Sequence, residues 1–213
     1  MLTLGLDTTG KACSAALVDE GRVIAHCSEP IGRGHAERLA PLVHELIYNA
    51  GRNVDDISRV AVCTGPGSFT GQRVALSFAK GFALPRKLPV IGLSSLEIWA
   101  READPENNKL VVSIADVRRG ELCWAVWKNG ICEIEPVTQK ADEAETLIDM
   151  IGADVIIRDA PISTILLAWL AQDETSQSAP ATPLYSRAPD AKLPGGITPK
   201  AQKPKPQFRK IAL

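Results

Sequence analysis

Apolar and polar positions alternate along this chain with two clear rhythms. Residues 2–7 (LTLGLD), 13–18 and 22–27 are short apolar runs, separated by Asp7-Thr8-Thr9-Gly10 and by Asp19-Glu20-Gly21. They predict three antiparallel strands joined by turns. A helical rhythm follows: Ala36, Leu39, Ala40, Val43, Leu46, Ile47 and Ala50 trace one stripe over 35–50, and Gly51 stands where a helix ends. Pro41 falls inside that stripe and predicts a kink or loosening there. An apolar strand, Val60–Cys63, then meets a seven-residue turn, Gly65-Pro66-Gly67-Ser68-Phe69-Thr70-Gly71, and a helix is expected from about Gln72. In that helix Val74, Ala75, Phe78, Ala79 and Phe82 repeat at helical spacing, and the small residues Ala75, Ala79 and Gly81 predict close approach of a partner. On this reading Ala75→Glu abolishes partner binding by burying an unpaired charge at the helix seam.

The rhythm then repeats. A strand over 88–92 and a helix over 93–103, opened by Ser94, Ser95 and Glu97, lead to the polar stretch 104–109. Beyond it come strands KLVVSIAD, LCWAVWK and ICEIEPV, then a helix over 141–151, a strand over 154–158 and a helix over 162–172. Antiparallel strands followed by helix, strand and helix, written twice, predict an α/β duplication with a shorter second copy. The expected units are a first lobe over 1–103, a second over 104–187, and a tail over 188–213. The tail holds five prolines, six Lys or Arg and one acid, a composition that resists compact folding and suits contact with RNA or an acidic surface.

Composition adds limits. At 45% hydrophobic and 23% charged, with no apolar run near ~20 residues, the 213-residue chain reads as a cytoplasmic globular protein without a membrane span. The five cysteines (Cys13, Cys27, Cys63, Cys123, Cys132) have no C-x-x-C spacing and read as reduced core residues. A net charge of −1 offers no broad attraction for nucleic acid, so if RNA is involved a partner must supply most phosphate contacts.

Candidate chemistry is sparse. Asp7 at a strand end, followed by Thr8, Thr9 and Gly10, is either a loop facing phosphate or metal, or a turn whose side chains bond nearby backbone. The glycine turn either cradles an anion on free N–H groups or seats a helix tightly on the sheet. Asp116, Arg118 and Arg119 form a charge knot that is either a solvated turn or a polar face toward an inter-lobe cleft. His35 and His44 are nine positions apart, on opposite sides of one helix, so they do not share a metal.

LGLDTTG with CSAALVD, GHAERLAPLV, TGPGSFTGQRVALSFAKG, IADVRRGELCWAVW and Pro183-Leu184-Tyr185-Ser186-Arg187 together resemble the TsaB (YeaZ) family. Gln72 and Ser186 depart from it, standing where apolar residues are expected. The resemblance implies a two-lobed actin-like ATPase (ASKHA, RNase H-like) fold with an abbreviated second lobe. It implies a non-catalytic scaffold subunit that binds the threonylcarbamoyl transferase TsaD, with the ATPase TsaE, to form threonylcarbamoyladenosine at position 37 of tRNA. Leu39 then stands where the transferase has the second histidine of its metal pair. The implied partner and homodimer surface comprises His35, Leu39, Val43, Gly65, Pro66, Gly67, Ser68, Phe69, Thr70, Gly71, Arg73, Val74, Ala75, Phe78 and Phe82. ATP or ADP would be held only at a complex interface, with Asp7, Thr8 and Thr9 the weak candidates in this chain. Two other readings stay open: a stand-alone nucleotide-binding enzyme using those three residues, and a metallopeptidase, which needs ligands this histidine count does not supply.

Overall fold

In the computed structural model, described over residues 1–186, two sheets lie side by side with helices between and outside them. The first has the order β3-β2-β1-β4-β5, from β1 (Leu2–Asp7), β2 (Cys13–Asp19), β3 (Arg22–Glu29), β4 (Ile57–Cys63) and β5 (Val90–Leu93). β1 pairs antiparallel with β2 (Leu4↔Leu17) and parallel with β4 (Leu4↔Val60). The β2–β3 turn is Glu20-Gly21, with φ of 46° and 77°. Positive φ at both central residues gives the turn whose twist suits a two-residue hairpin, and Gly21 takes its part at little cost. Every residue of β1 is buried, as are all but the last of β2, because helices cover both faces of the sheet.

One face carries α1 (His35–Asn49) and α2 (Phe69–Ala83), which pack on each other as well as on the sheet. Their shared core joins Leu4, Leu6 and Leu17 to Leu39, Val43, Ile47, Ala75 and Ala79. α1 runs through Pro41, and its buried stripe is Leu39, Leu42, Val43, Leu46 and Ile47. Ala36 and Ala40, expected on that stripe, are exposed. Gly51 takes φ 64° and ends the helix as the pattern predicted.

The second sheet, β8-β7-β6-β9, repeats the first with one strand fewer: β6 (Leu110–Asp116), β7 (Glu121–Lys128), β8 (Ile131–Lys140) and β9 (Val155–Arg158). β6 pairs antiparallel with β7 and parallel with β9, just as β1 does with β2 and β4. α3 (Ser95–Ala103), capped by Ser94 accepting from the Glu97 N–H, packs Leu96 and Trp99 on one face. α4 (Ala141–Ile151) packs Ala144 and Ile148 on the other. The α/β duplication expected from the order of elements is therefore present, with the second sheet one strand shorter than the first.

The chain order misled in one place. α5 (Thr164–Leu170), expected with the second lobe, packs on β1, β2 and β4 of the first sheet. The strand has room for it: a side chain at Gly5 would come within 2.5 Å of the Thr164 carbonyl oxygen, so the bare glycine lets the helix settle on the strand. Residues 171–186 stay with the first lobe. The Arg59 guanidinium donates to the carbonyls of Ala171, Gln172 and Glu174, the Gly92 N–H donates to Ala179 O at 2.9 Å, and the Leu184 N–H donates to Thr64 O at 2.9 Å. Arg187 and the expected tail lie outside the described residues.

Candidate partner face and inter-lobe cleft

α2 begins at Phe69, three residues before the expected start, so the end of the glycine motif is already helical. Ser68 caps it, its hydroxyl accepting from the Gly71 N–H at 3.2 Å. The inner face of the helix is Gly71, Gln72, Ala75, Leu76, Ala79 and Ala83, all buried. The outer side presents Phe69, Thr70, Arg73 and Ser77 to solvent, with Val74, Phe78 and Phe82 half-buried beside them. Between α1 and α2 runs a groove of about 350 Å³, lined by Ala36, Leu39, Thr70, Arg73, Val74, Ser77 and Phe78. On its far side α1 is pinned to the edge of the sheet by Arg38, which bonds Glu29 at 2.6 Å and Glu45 at 2.7 Å. Those hydrogen bonds hold both carboxyls below the usual range.

This geometry divides the residues assigned to the partner surface. Ala75 and Val43 are sealed in the chain's own core, at 0% and 2% exposure, and so cannot touch a partner. Leu39 is buried too, reachable only as the floor of the groove. Gly65, Pro66 and Gly71 are likewise buried. Ala75 and Ala79 serve approach of the helix to its own sheet, whereas Gly81, the third small residue of the stripe, is exposed with open space around it. Three exposed residues of this face escaped the sequence reading. Ser77 is polar and gave no apolar signal. Leu84, 76% exposed, follows the end of α2. Tyr185 lies 112 positions from Arg73, yet its ring is 5.2 Å from that of Phe69, and its hydroxyl accepts from Arg73 Nε at 3.2 Å. The Arg73 guanidinium sits 3.8 Å over the Phe69 ring.

The glycine turn is built for contact. A side chain at Gly71 would lie 1.8 Å from the Thr8 carbonyl oxygen, and one at Gly67 would lie 2.8 Å from that of Thr9. The Ser68 N–H donates to Thr9 O at 2.8 Å, and the Thr8 hydroxyl donates to Gly71 O at 2.7 Å. Asp7, 3% exposed, accepts at Oδ1 from both the N–H and the hydroxyl of Thr9. Burial pushes the Asp7 carboxyl up, partly offset by those two bonds. Burial likewise holds the neighbouring Cys63 thiol well above its ordinary value, with Asp7 adding to the effect. Several donors a phosphate would use are thus already spent inside the turn.

Between the lobes opens a cleft of about 1410 Å³. Asp7, Thr9, His35, Phe69 and Gln72 line it from the first lobe, and Asp116, Val117 and Arg118 from the second. Asp116 and Arg118 therefore face this cleft, 3.8 Å apart as an ion pair, whereas Arg119 does not line it. His35, assigned to the partner face, lines this cleft, as do Phe69, Thr70 and Val74. Gln72, where an apolar residue was expected, is 3% exposed and has its Nε2 3.4 Å from Gly67 O. Among the described residues no group of three or more His, Cys, Asp or Glu is placed to hold a metal ion, and no helix is long and apolar enough to cross a membrane.

Comparison with known proteins gives a consistent answer. Residues 28–151 match the model of a family described as TsaD, tRNA N6-adenosine threonylcarbamoyltransferase. The chain is 40% identical over 135 residues to the tRNA threonylcarbamoyladenosine biosynthesis protein TsaB of Escherichia coli, covering 62% of this chain and 58% of that one. It is 30% identical over 206 residues to an uncharacterized protein of Mycobacterium tuberculosis, covering 89% of this chain and 93% of the relative. Among solved structures it is similar to an uncharacterized Pseudomonas aeruginosa protein with similarity to peptidase YeaZ, with a TM-score of 0.72 and 27% identity over 87% of this chain and 99% of the other. The chain spans little more than half the length of the first curated relatives it matches.

Proposed function

The chain belongs to the TsaB (YeaZ) family, and from that premise we propose that it works in threonylcarbamoyladenosine biosynthesis as a non-catalytic scaffold of the tRNA-modifying transferase. In this reading it docks the transferase TsaD through the outer side of α1 and α2, TsaE joins the pair, and the modified base is the adenosine at position 37 of tRNAs reading codons that begin with adenine. Alone, it forms a homodimer through the same face, in the cytoplasm.

One observation carries the proposal: α2 keeps an outer row of Phe69, Arg73, Val74, Ser77 and Phe78 beside a groove that no described part of the chain fills. A polar-rimmed apolar strip of this kind suits a protein partner. The test is reconstitution with TsaD, TsaE, tRNA, threonine, bicarbonate, ATP and the enzyme that makes the threonylcarbamoyl donor. Modification that proceeds equally well without this chain would sink the scaffold role. In the same assay Ser77→Glu, which places a charge in the groove without entering the core, is expected to weaken binding of TsaD while leaving the fold intact.

A nucleotide held by this chain is the second reading, favoured because the turns after β1 and after β6 open on the same cleft. Against a phosphate at the glycine turn stand the spent donors of Ser68, Gly71 and Thr9. ATP or ADP shared with a partner remains compatible with a half-site in one chain. Calorimetry separates the cases: heat from ATP and magnesium with the isolated chain supports its own site, and heat only after TsaD is added assigns the nucleotide to the interface.

A further inference from the structure

The charges of α2 are all of one sign. Its sequence, FTGQRVALSFAKGFA, holds Arg73 and Lys80 but no Asp or Glu. At about 100° per residue, Arg73, Ser77, Lys80 and Leu84 (just past the helix end) fall on one row, and all four are exposed. Elsewhere the chain answers several of its cations from within. Arg38 bonds Glu29 and Glu45, Arg158 bonds Glu145, and Arg86 lies 3.7 Å from Asp55. Arg73 is held instead by the Phe69 ring at 3.8 Å and the Tyr185 hydroxyl at 3.2 Å. Among the described residues no carboxylate pairs with Arg73 or with Lys80. The ring contact fixes the plane of the guanidinium and Tyr185 takes only its Nε, so the Nη edge is set to receive a carboxylate.

The other wall of the groove adds no balancing acid. Glu29 and Glu45 are engaged by Arg38 at the sheet edge, and Glu37 lines the inter-lobe cleft but not the groove. The face thus offers two cations seven residues apart, about 10 Å along the helix, beside an apolar groove. A two-fold homodimer sets one patch against the same patch of its copy. On this face that brings a second pair of cations to the first. A partner with carboxylates there gains from both cations, and the same charges count against the copy.

We infer that Arg73 and Lys80 select what docks on α2 by charge: they pair with two carboxylates about 10 Å apart on the transferase and disfavour a second copy of this chain. The inference rests on the scaffold reading and names the chemistry of its partner. Calorimetry of the full chain with TsaD between about 50 and 500 mM salt tests it, because screening weakens exposed pairs over that range. Wild-type affinity should fall at least fivefold as salt rises. Lys80→Glu should lose about tenfold at the lower salt and little at the higher, with Lys80→Gln between the two. A second measurement needs no transferase. In sedimentation, wild type mixed with the doubly reversed Arg73→Glu, Lys80→Glu chain should form mixed dimers beyond their statistical share, while the wild-type homodimer tightens with salt. Equal affinity of wild type and Lys80→Glu for TsaD at low salt overturns the inference, as do mixed dimers at or below the statistical share. Both results leave the scaffold reading standing. A wild-type chain that binds no TsaD at any salt removes that reading, and the inference with it.

Discussion

The two faces of α2 are both apolar in large part, and they do opposite things. The inner face is small: Gly71, Ala75, Ala79 and Ala83 bring the helix against its own sheet, with Gln72 wedged beneath the glycine turn. The outer side is large and mixed: Phe69, Arg73, Phe78 and Phe82, with the rings of Phe78 and Phe82 5.8 Å apart and the Arg86 guanidinium 4.7 Å over Phe82. Buried small residues therefore mark where the helix lies closest to its own sheet, and large half-exposed ones mark where something else could lie. A stripe of alanines in sequence does not say which side its partner is on.

The sharpest way to break this distinction is Ala75→Glu. At 0% exposure in the core between α2 and β1, the carboxylate would be buried with no partner, and about 3–5 kcal/mol of stability should be lost. The chain should fail to fold or melt far below wild type in a thermal scan. A folded variant deficient only in partner binding would restore the reading that this alanine faces outward. Next in size is Gly71→Ala. Its new methyl meets the Thr8 backbone oxygen, which cannot swing aside, so a loss of about 3 kcal/mol is expected in chemical denaturation. A loss under about 1 kcal/mol would mean that the turn is looser than its contacts imply.

On the outer side the same measurements should barely move. Ser77→Glu is expected to shift stability by no more than about 0.5 kcal/mol. It should weaken binding of TsaD by roughly thirtyfold, the ~2 kcal/mol scale of a hot spot in an interface centre. Equal transferase affinity would place the partner surface elsewhere. Arg73→Ala, removing the cation over Phe69 and the bond to Tyr185, should cost about 0.5–1 kcal/mol. Its local signature is release of residues 183–186, readable as faster amide exchange at Leu184 and Tyr185.

Much of this architecture was legible in the sequence for physical reasons. The strands β1, β2, β6 and β7 announced themselves because buried strands are near-continuous apolar runs, and the duplicated order of elements showed through their spacing. The first hairpin was legible at Gly21, where left-handed backbone favours glycine. What stayed hidden was long-range. Nothing in Thr164–Leu170 says that it returns to the first sheet, since the room for it comes from a missing side chain at Gly5, more than 150 positions away. Nothing in Tyr185 points to Arg73. The helical period found the stripe of α2 but could not tell its inner edge from its outer, because Ala75 and Phe78 both satisfy it.

The last contrast concerns the seat of α2 rather than its faces, and its expected effect is one of sign more than size. Asp7 is buried beneath the glycine turn, and its carboxyl titrates above the ordinary carboxylate range. A raised native pKa means that the folded state holds its proton more tightly than the unfolded chain. The contribution to stability is then fully present below the unfolded value, near 4, and is lost as pH rises through the native value. Asp7→Asn keeps an oxygen for the Thr9 N–H and hydroxyl while removing the charge. Melting curves between pH 4 and 8 should show the wild type losing stability relative to the variant as pH increases, with the two closest at the acid end. The opposite trend, with the variant falling behind at neutral pH, would mean that a carboxylate is wanted at this position. That would favour a cation or a phosphate-bound metal in the cleft over a turn whose work is to seat a helix.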